Sequence, residues 1–236
     1  MTHATKDEII RRIAAIGVIP VVRADSAHLA RRAAAAIRRG GIPVLEITMT
    51  VPGALHIIRE LSLECGGEVL IGAGTVMNPD AARDCLDAGA RFIVSPSLNL
   101  ATIEFCRKAG VAVIPGALTP TEIVTAWSAG ADFVKVFPAG TAGGPAYIRS
   151  LKAPLPEIKL VPTGGVTLAN AAAYIEAGAE AVGVGGELVD LPALRDGKDD
   201  VLAERARQLL ESVARARSNK IDAMAQKQSG GSGGRS

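Results

Sequence analysis

Lys135 stands in the middle of the run Phe133-Val-Lys-Val-Phe137, where strand side chains alternate between two faces. Phe133, Lys135 and Phe137 share one face, and Val134 and Val136 the other. An amine placed among apolar residues either snorkels to water at a strand end or is buried for use. Burial favours the neutral amine, and a neutral amine is a nucleophile that forms a Schiff base with a carbonyl carbon. Glu46 is a second misfit, set among Val44, Leu45 and Ile47. An unpaired carboxylate there is costly, so it calls for a cation such as Arg23 or Lys135. The pair either neutralises charge and nothing more, or supplies a general acid/base beside a nucleophile. Imine formation needs protons delivered and withdrawn, and carbon–carbon cleavage needs one taken from a hydroxyl. The cysteines (Cys65, Cys85, Cys106) and histidines (His3, His28, His56) are scattered without metal or disulfide spacing. One acid, one amine, no metal and no cofactor point to a Schiff-base lyase.

Glu46 and Lys135 lie far apart in the chain, so the fold must join them. Helical patterns end repeatedly in glycine followed by a short apolar run, after Gly17, Gly41, Gly67, Gly89, Gly110, Gly130 and Gly178. The wide last step is filled by a further run within 154–162, making eight strand-like units at one period. Proline opens helices at Val51-Pro52, Asn78-Pro79 and Thr119-Pro120, and capping boxes are expected at Thr5/Glu8 and Thr119/Glu122. The first of these heads an extra N-terminal helix. Strands alternating with helices pair in parallel, and eight units in just over 200 residues predict an α/β fold, a (β/α)8 TIM barrel. An open doubly wound sheet is the competitor, but Arg23-Ala-Asp-Ser26 lacks its phosphate fingerprint.

Active sites of such barrels gather at the C-terminal strand ends. The first run ends in Arg23, and the second carries Glu46 and Thr48 on one face. The third gives Gly72-Ala-Gly-Thr75, the fourth Ser95-Pro96, and the sixth Lys135 and Phe137. Pro96 and Phe137 are expected to shape an apolar pocket around the amine. Gly164-Gly165, before a helix expected near Thr167, and Gly185-Gly186 after the eighth run suit a phosphate held by backbone N–H groups. Tight turns alone also account for either glycine pair.

The 236 residues carry 26 basic and 24 acidic side chains, well mixed, with 3% aromatics. That balance argues against a nucleic-acid surface or a membrane patch. No signal core and no long apolar span is legible, and the unpaired cysteines fit a reducing cytoplasm. Residues 1–217 read as one domain, and 218–236, ending in Gly/Ser repeats, as a flexible linker-like tail. The Ala-rich stretch from Ala27 to Arg39, with an exposed-looking Ala/Ile surface, raises a second function: a barrel reworked as a self-assembling scaffold. A third is a non-catalytic phosphate-binding barrel.

Four motifs together resemble one family: Leu45-Glu-Ile-Thr-Met-Thr50, Gly72-Ala-Gly-Thr-Val76, Phe133-Val-Lys-Val-Phe-Pro138 and Pro162-Thr-Gly-Gly-Val166. They are similar to the 2-keto-3-deoxy-6-phosphogluconate (KDPG) and 4-hydroxy-2-oxoglutarate aldolases. The resemblance implies a (β/α)8 barrel, a trimer, and metal-free class I cleavage of a small 2-keto acid to pyruvate and an aldehyde. It implies Lys135 as the Schiff-base lysine, Glu46 as the acid/base and Thr75 at the pyruvate carboxylate. Thr163, Gly164 and Gly165 would meet the distal end of the substrate. The sequence departs from the pattern at Thr50, where some members carry an arginine that Arg23 would replace. It departs again at Gly186, where many carry a serine whose hydroxyl meets phosphate.

Overall fold

The computed structural model describes residues 4–230, with side chains as far as residue 219. Each apolar run forms a strand: β1 (Val18–Val22), β2 (Val44–Thr48), β3 (Leu70–Gly74), β4 (Phe92–Val94), β5 (Ala112–Ile114) with β6 (Gly116–Ala117), β7 (Val134–Val136), β8 (Leu160–Pro162) and β9 (Val182–Val184). The helices are α1 (Lys6–Ile16), α2 (Ala27–Arg39), α3 (Ala54–Cys65), α4 (Pro79–Asp87), α5 (Leu100–Lys108), α6 (Pro120–Ser128), α7 (Gly144–Lys152), α8 (Ala171–Glu176), α9 (Leu191–Arg195) and α10 (Asp199–Gly230). The fifth stave is split because Pro115 has no N–H to give the ladder. Strand β7 still bonds across the break, with Asp132 N–H donating to Val113 O (3.1 Å), Lys135 N–H to Pro115 O (2.8 Å) and Phe137 N–H to Ala117 O (3.0 Å).

All pairings are parallel, in the orders β5-β4-β3-β2-β1-β9 and β6-β7-β8. A bridge between Thr163 and Gly183 joins the second set to the first. The sheet therefore closes on itself as a (β/α)8 barrel with an added N-terminal helix, and the open doubly wound alternative is excluded.

Strand alternation divides the apolar residues into two bodies. Ile19, Val44, Leu70, Phe92, Phe133 and Val161 fill the lumen, and Ile9 and Ile13 of α1 close it from below. Leu45, Ile47, Val134 and Val136 face outward into the strand–helix layer. Even numbers on β2 and odd numbers on β7 thus point inward, which places Glu46 and Lys135 in the lumen above an aromatic floor.

The plug is anchored at both ends. Thr5 and Glu8 form the expected capping box. At the other end, Arg217 of α10 donates to the carbonyls of Ala14 (2.5 Å), Ala15 (2.5 Å) and Glu180 (2.6 Å), gathering α1, the segment before β9 and α10. Gly17 leaves room for it, since a Cβ there would lie 2.5 Å from Arg217 Nη2. Hydrogen bonds from a charged donor contribute about 1.5–3 kcal/mol each when buried, and less when part-exposed as here. Arg217→Ala is therefore expected to cost about 2 kcal/mol and lower the melting temperature by roughly 4–8 °C. An unchanged thermal melt would contradict this anchoring.

Several expectations are corrected. Pro52 lies in the turn before α3, which starts at Ala54 behind Gly53 in the left-handed region (φ 72°). Helix α8 starts at Ala171 rather than near Thr167, whose N–H is taken by Asn170 Oδ1 at 2.8 Å. The Ala/Ile surface of α2 is not exposed: Ala30, Ala33, Ala34, Ala36 and Ile37 are all buried. These small side chains let the layers approach closely, and at the end of α2 a Cβ on Gly40 would lie 2.4 Å from the Ala203 carbonyl oxygen of α10. Residues 218–230, expected as tail, continue α10, since 218–228 hold no glycine or proline to stop it. Residues 231–236 lie outside the described residues.

Candidate active site

The site is built where β2 and β7 face each other. Counting staves either way round the barrel, β2 and β7 are four apart and stand on opposite walls. Glu46 and Lys135 reach across the lumen from those walls, and Glu46 Oε1 comes within 4.0 Å of Lys135 Nζ. Both are buried, with 2% of Glu46 and 6% of Lys135 accessible. Among the described residues, Glu46 Oε1 has no hydrogen-bond partner. Burial pushes the Glu46 carboxyl above its ordinary range, while the charges of Lys135 and Arg23 pull it down without overcoming the lost hydration. A 4.0 Å separation without a hydrogen bond explains why the ion pair does not win. The result is a carboxyl poised to exchange protons, beside an amine.

Phe137 stands over the amine, with Lys135 Nζ 5.3 Å from the ring centre. Below, Phe92 and Phe133 are fully buried and form the floor. On β2, Thr48 is buried and its hydroxyl lies 2.9 Å from that of exposed Thr50. Thr75 follows β3 with φ 59°, a left-handed conformation that costs energy for a β-branched residue. Pro96, past the end of β4, faces Gly116, whose Cβ would lie 2.2 Å from the Pro96 carbonyl carbon.

Thr163 is buried at the end of β8, in space that Gly183 leaves open: a Cβ there would sit 2.2 Å from its Oγ1. Gly164 and Gly165 follow with φ 82° and 80°, and a Cβ on Gly164 would come within 3.2 Å of the Phe137 ring. The loop after β8 is laced to that after β7, with Ala139 N–H donating to Thr163 O and Gly140 N–H to Gly164 O, both at 2.8 Å. Gly185 takes the turn after β9, its carbonyl accepting from Leu188 and Val189, and Gly186 is exposed with open space where a side chain would be. Arg23 is exposed at the end of β1.

Glu46, Lys135, Phe137, Thr163 and Gly164 thus converge on one mouth. Thr48, Thr50, Thr75, Pro96, Gly165, Gly185, Gly186 and Arg23 lie on its surrounding strand ends and make no hydrogen bond to Glu46 or Lys135 among the described residues. Phe92, Phe133, Gly72 and Gly74 are site-forming residues that the sequence reading did not assign. Their signal was present: alternation puts all four on inward-facing positions. A groove of about 1200 Å³ lies at the other end of the barrel, between α1, α3 and α4. It is bordered by Glu8, Arg12, Leu63 and Asp87 and contains no buried acid–amine pair. Among the described residues, no three His, Cys, Asp or Glu side chains converge so that they could hold a metal ion.

A closed barrel with a buried amine and carboxylate facing each other across the lumen from opposite strands defines a class of lysine-bearing (β/α)8 barrels. The chain belongs to the KDPG and KHG aldolase family, whose model matches residues 9–204. It is 38% identical over 167 residues to a 2-dehydro-3-deoxy-phosphogluconate aldolase of Treponema pallidum (strain Nichols), covering 71% of this chain and 79% of that one. The KDPG aldolase of Legionella pneumophila, solved with pyruvate captured as a covalent carbinolamine, matches with a TM-score of 0.77 and 31% identity over 85% of this chain and 97% of that one. A cube-shaped protein cage designed by fusing symmetric oligomeric domains matches with a TM-score of 0.81 and 30% identity, covering 91% of this chain and 78% of that one.

Proposed function

We propose that this barrel is a class I aldolase that cleaves a 2-keto-4-hydroxy acid, such as KDPG or 4-hydroxy-2-oxoglutarate, to pyruvate and an aldehyde. The observation that carries it is the approach of buried Glu46 to buried Lys135 across the catalytic end of the barrel. The Lys135 amine attacks the C2 ketone, and Glu46 relays the protons that turn the carbinolamine into an imine. Glu46 then takes the C4 hydroxyl proton. The C3–C4 bond breaks, its electron pair moves into the enamine, and the C4 oxygen becomes the aldehyde carbonyl. Protonation at C3 and hydrolysis release pyruvate and restore the amine. Phe137 and Pro96 keep water from the imine.

Thr75 offers its hydroxyl and neighbouring backbone to the pyruvate carboxylate. Thr163, Gly164 and Gly165 receive the distal end of the substrate, and Arg23, exposed at the end of β1, supplies positive charge at the mouth. Thr48 lines the mouth, and Thr50 in place of an arginine leaves that role to Arg23. Structural likeness to a cage built from symmetric oligomeric domains supports a homo-oligomer, and the family resemblance a homotrimer, which light scattering would report as a mass near three chains. Buried free cysteines at Cys65, Cys85 and Cys106 agree with a reducing cytoplasm.

Gly186 decides how well a phosphate is held. It has open space around it and no left-handed backbone, so serine fits there without strain. Gly186→Ser is expected to raise kcat/KM for KDPG by about tenfold, the contribution of one hydroxyl-to-anion hydrogen bond. The value for 4-hydroxy-2-oxoglutarate should stay unchanged. Steady-state kinetics on both substrates checks this, and an equal change on the two would place the phosphate elsewhere.

A further inference from the structure

Strand β3 gives the lumen two successive inward glycines, Gly72 and Gly74. A Cβ on Gly72 would stand 2.4 Å from the Phe92 ring. A Cβ on Gly74 would stand 1.8 Å from Glu46 Oε1, 2.5 Å from its Cδ and 2.6 Å from its Cγ. Each is far inside the ordinary contact of about 3.5 Å. Neither glycine has a left-handed φ, so backbone freedom does not explain them. The pairing register sets Glu46 opposite Gly72 and Thr48 opposite Gly74. The Glu46 side chain therefore leans from its own level toward the mouth, and its carboxylate lies where any other residue at position 74 would carry a side chain. Among the described residues no donor holds Oε1, so shape must.

We propose that Gly74 is a positioning residue for proton transfer: its missing side chain is the seat that aims the Glu46 carboxylate at Lys135. This rests on the reading of Glu46 as the proton-transfer group. A methyl at position 74 drives the carboxylate off its seat and away from the amine. The charged groups acting on Glu46 are Lys135 from the opposite wall and Arg23 from the end of β1. Truncating Glu46 to alanine removes all three of these contacts with a Cβ at position 74.

The test is a double-mutant cycle of Glu46→Ala and Gly74→Ala, with Gly72→Ala for comparison. Three measurements apply to each protein: exchange of pyruvate C3 protons with D2O by NMR, borohydride trapping of pyruvate, and thermal melting. Gly74→Ala should slow exchange by about 100-fold while Lys135 still traps pyruvate. Its acid limb of activity should move to lower pH, because the displaced carboxylate regains water. In the Glu46→Ala background, Gly74→Ala should change exchange by less than about twofold and recover the melting temperature lost in the single variant. Gly72→Ala, which strikes Phe92, should lose the same melting temperature in both backgrounds. If Gly74→Ala alone does not fold, the double variant should. Equal effects of Gly74→Ala in both backgrounds, wild-type exchange in the single variant, or an unfolded double variant would each overturn the proposal. Wild-type protein that traps no pyruvate would instead defeat the aldolase reading, while the thermal coupling of positions 46 and 74 still reports on the seat.

Discussion

Lys135→Ala is expected to abolish aldol cleavage, by on the order of 10⁴-fold or more, and to remove the pyruvate adduct entirely. Without the amine there is no imine to accept the electrons of the breaking C3–C4 bond. Glu46 and the rest of the mouth then have nothing to act on, so the loss does not divide into smaller parts. Lys135→Arg should be nearly as inactive. It keeps a cation near Glu46, but a guanidinium stays protonated and cannot attack a ketone. Comparing the two variants separates the nucleophile from the charge. Activity retained by arginine would mean that position 135 needs only a positive charge, and the covalent mechanism would fall. The variants should stay folded, because Phe133 and the outward Val134 and Val136, which hold β7 in the lumen and outer layers, are untouched.

Glu46→Gln is expected to slow turnover by about 10²–10⁴-fold, the usual range for removing a positioned acid/base. Trapping should continue at a reduced rate, since the amine remains. The pH dependence carries the sign. Burial raises the Glu46 carboxyl above the ordinary glutamate range near ~4.3. A base works only when ionised, so the acid limb of kcat/KM should lie above that range and vanish in the glutamine variant. The same shift bears on stability. A carboxyl whose folded pKa is raised contributes stability below the unfolded pKa and loses it as pH rises through the folded value. Glu46→Gln should therefore melt no lower than wild type at neutral pH, with any gain disappearing below the ordinary carboxylate range. An unaltered turnover number would remove Glu46 from its role, and a large drop in melting temperature at neutral pH would make the carboxylate structural.

Most of the scaffold was legible because it is periodic. Glycine-terminated helices followed by apolar runs marked seven staves and the even period placed the eighth within 154–162, and alternation along the run from Phe133 to Phe137 put Lys135 in the lumen. Proline at 115 hid a break in the fifth stave, since an apolar run with a terminal Pro-Gly reads as one strand until the ladder is seen. The buried face of α2 was misread because alanine suits an exposed helix and a tight helix–helix contact equally. Glu46 and Lys135 could be joined only by assuming closure, and the chain says nothing of their separation across the lumen. The Gly72 and Gly74 seats were least legible. Their meaning depends on side chains sent over from β2 and β4, and a glycine in a strand does not announce what lies above it.

Incubating the protein with pyruvate and sodium borohydride, then mapping the product by peptide mass spectrometry, tests the central claim most directly. A reduced pyruvate adduct on the peptide carrying Lys135, absent from Lys135→Ala, is the expected result. Protein that stays unmodified, or that carries its adduct on another lysine, would contradict it.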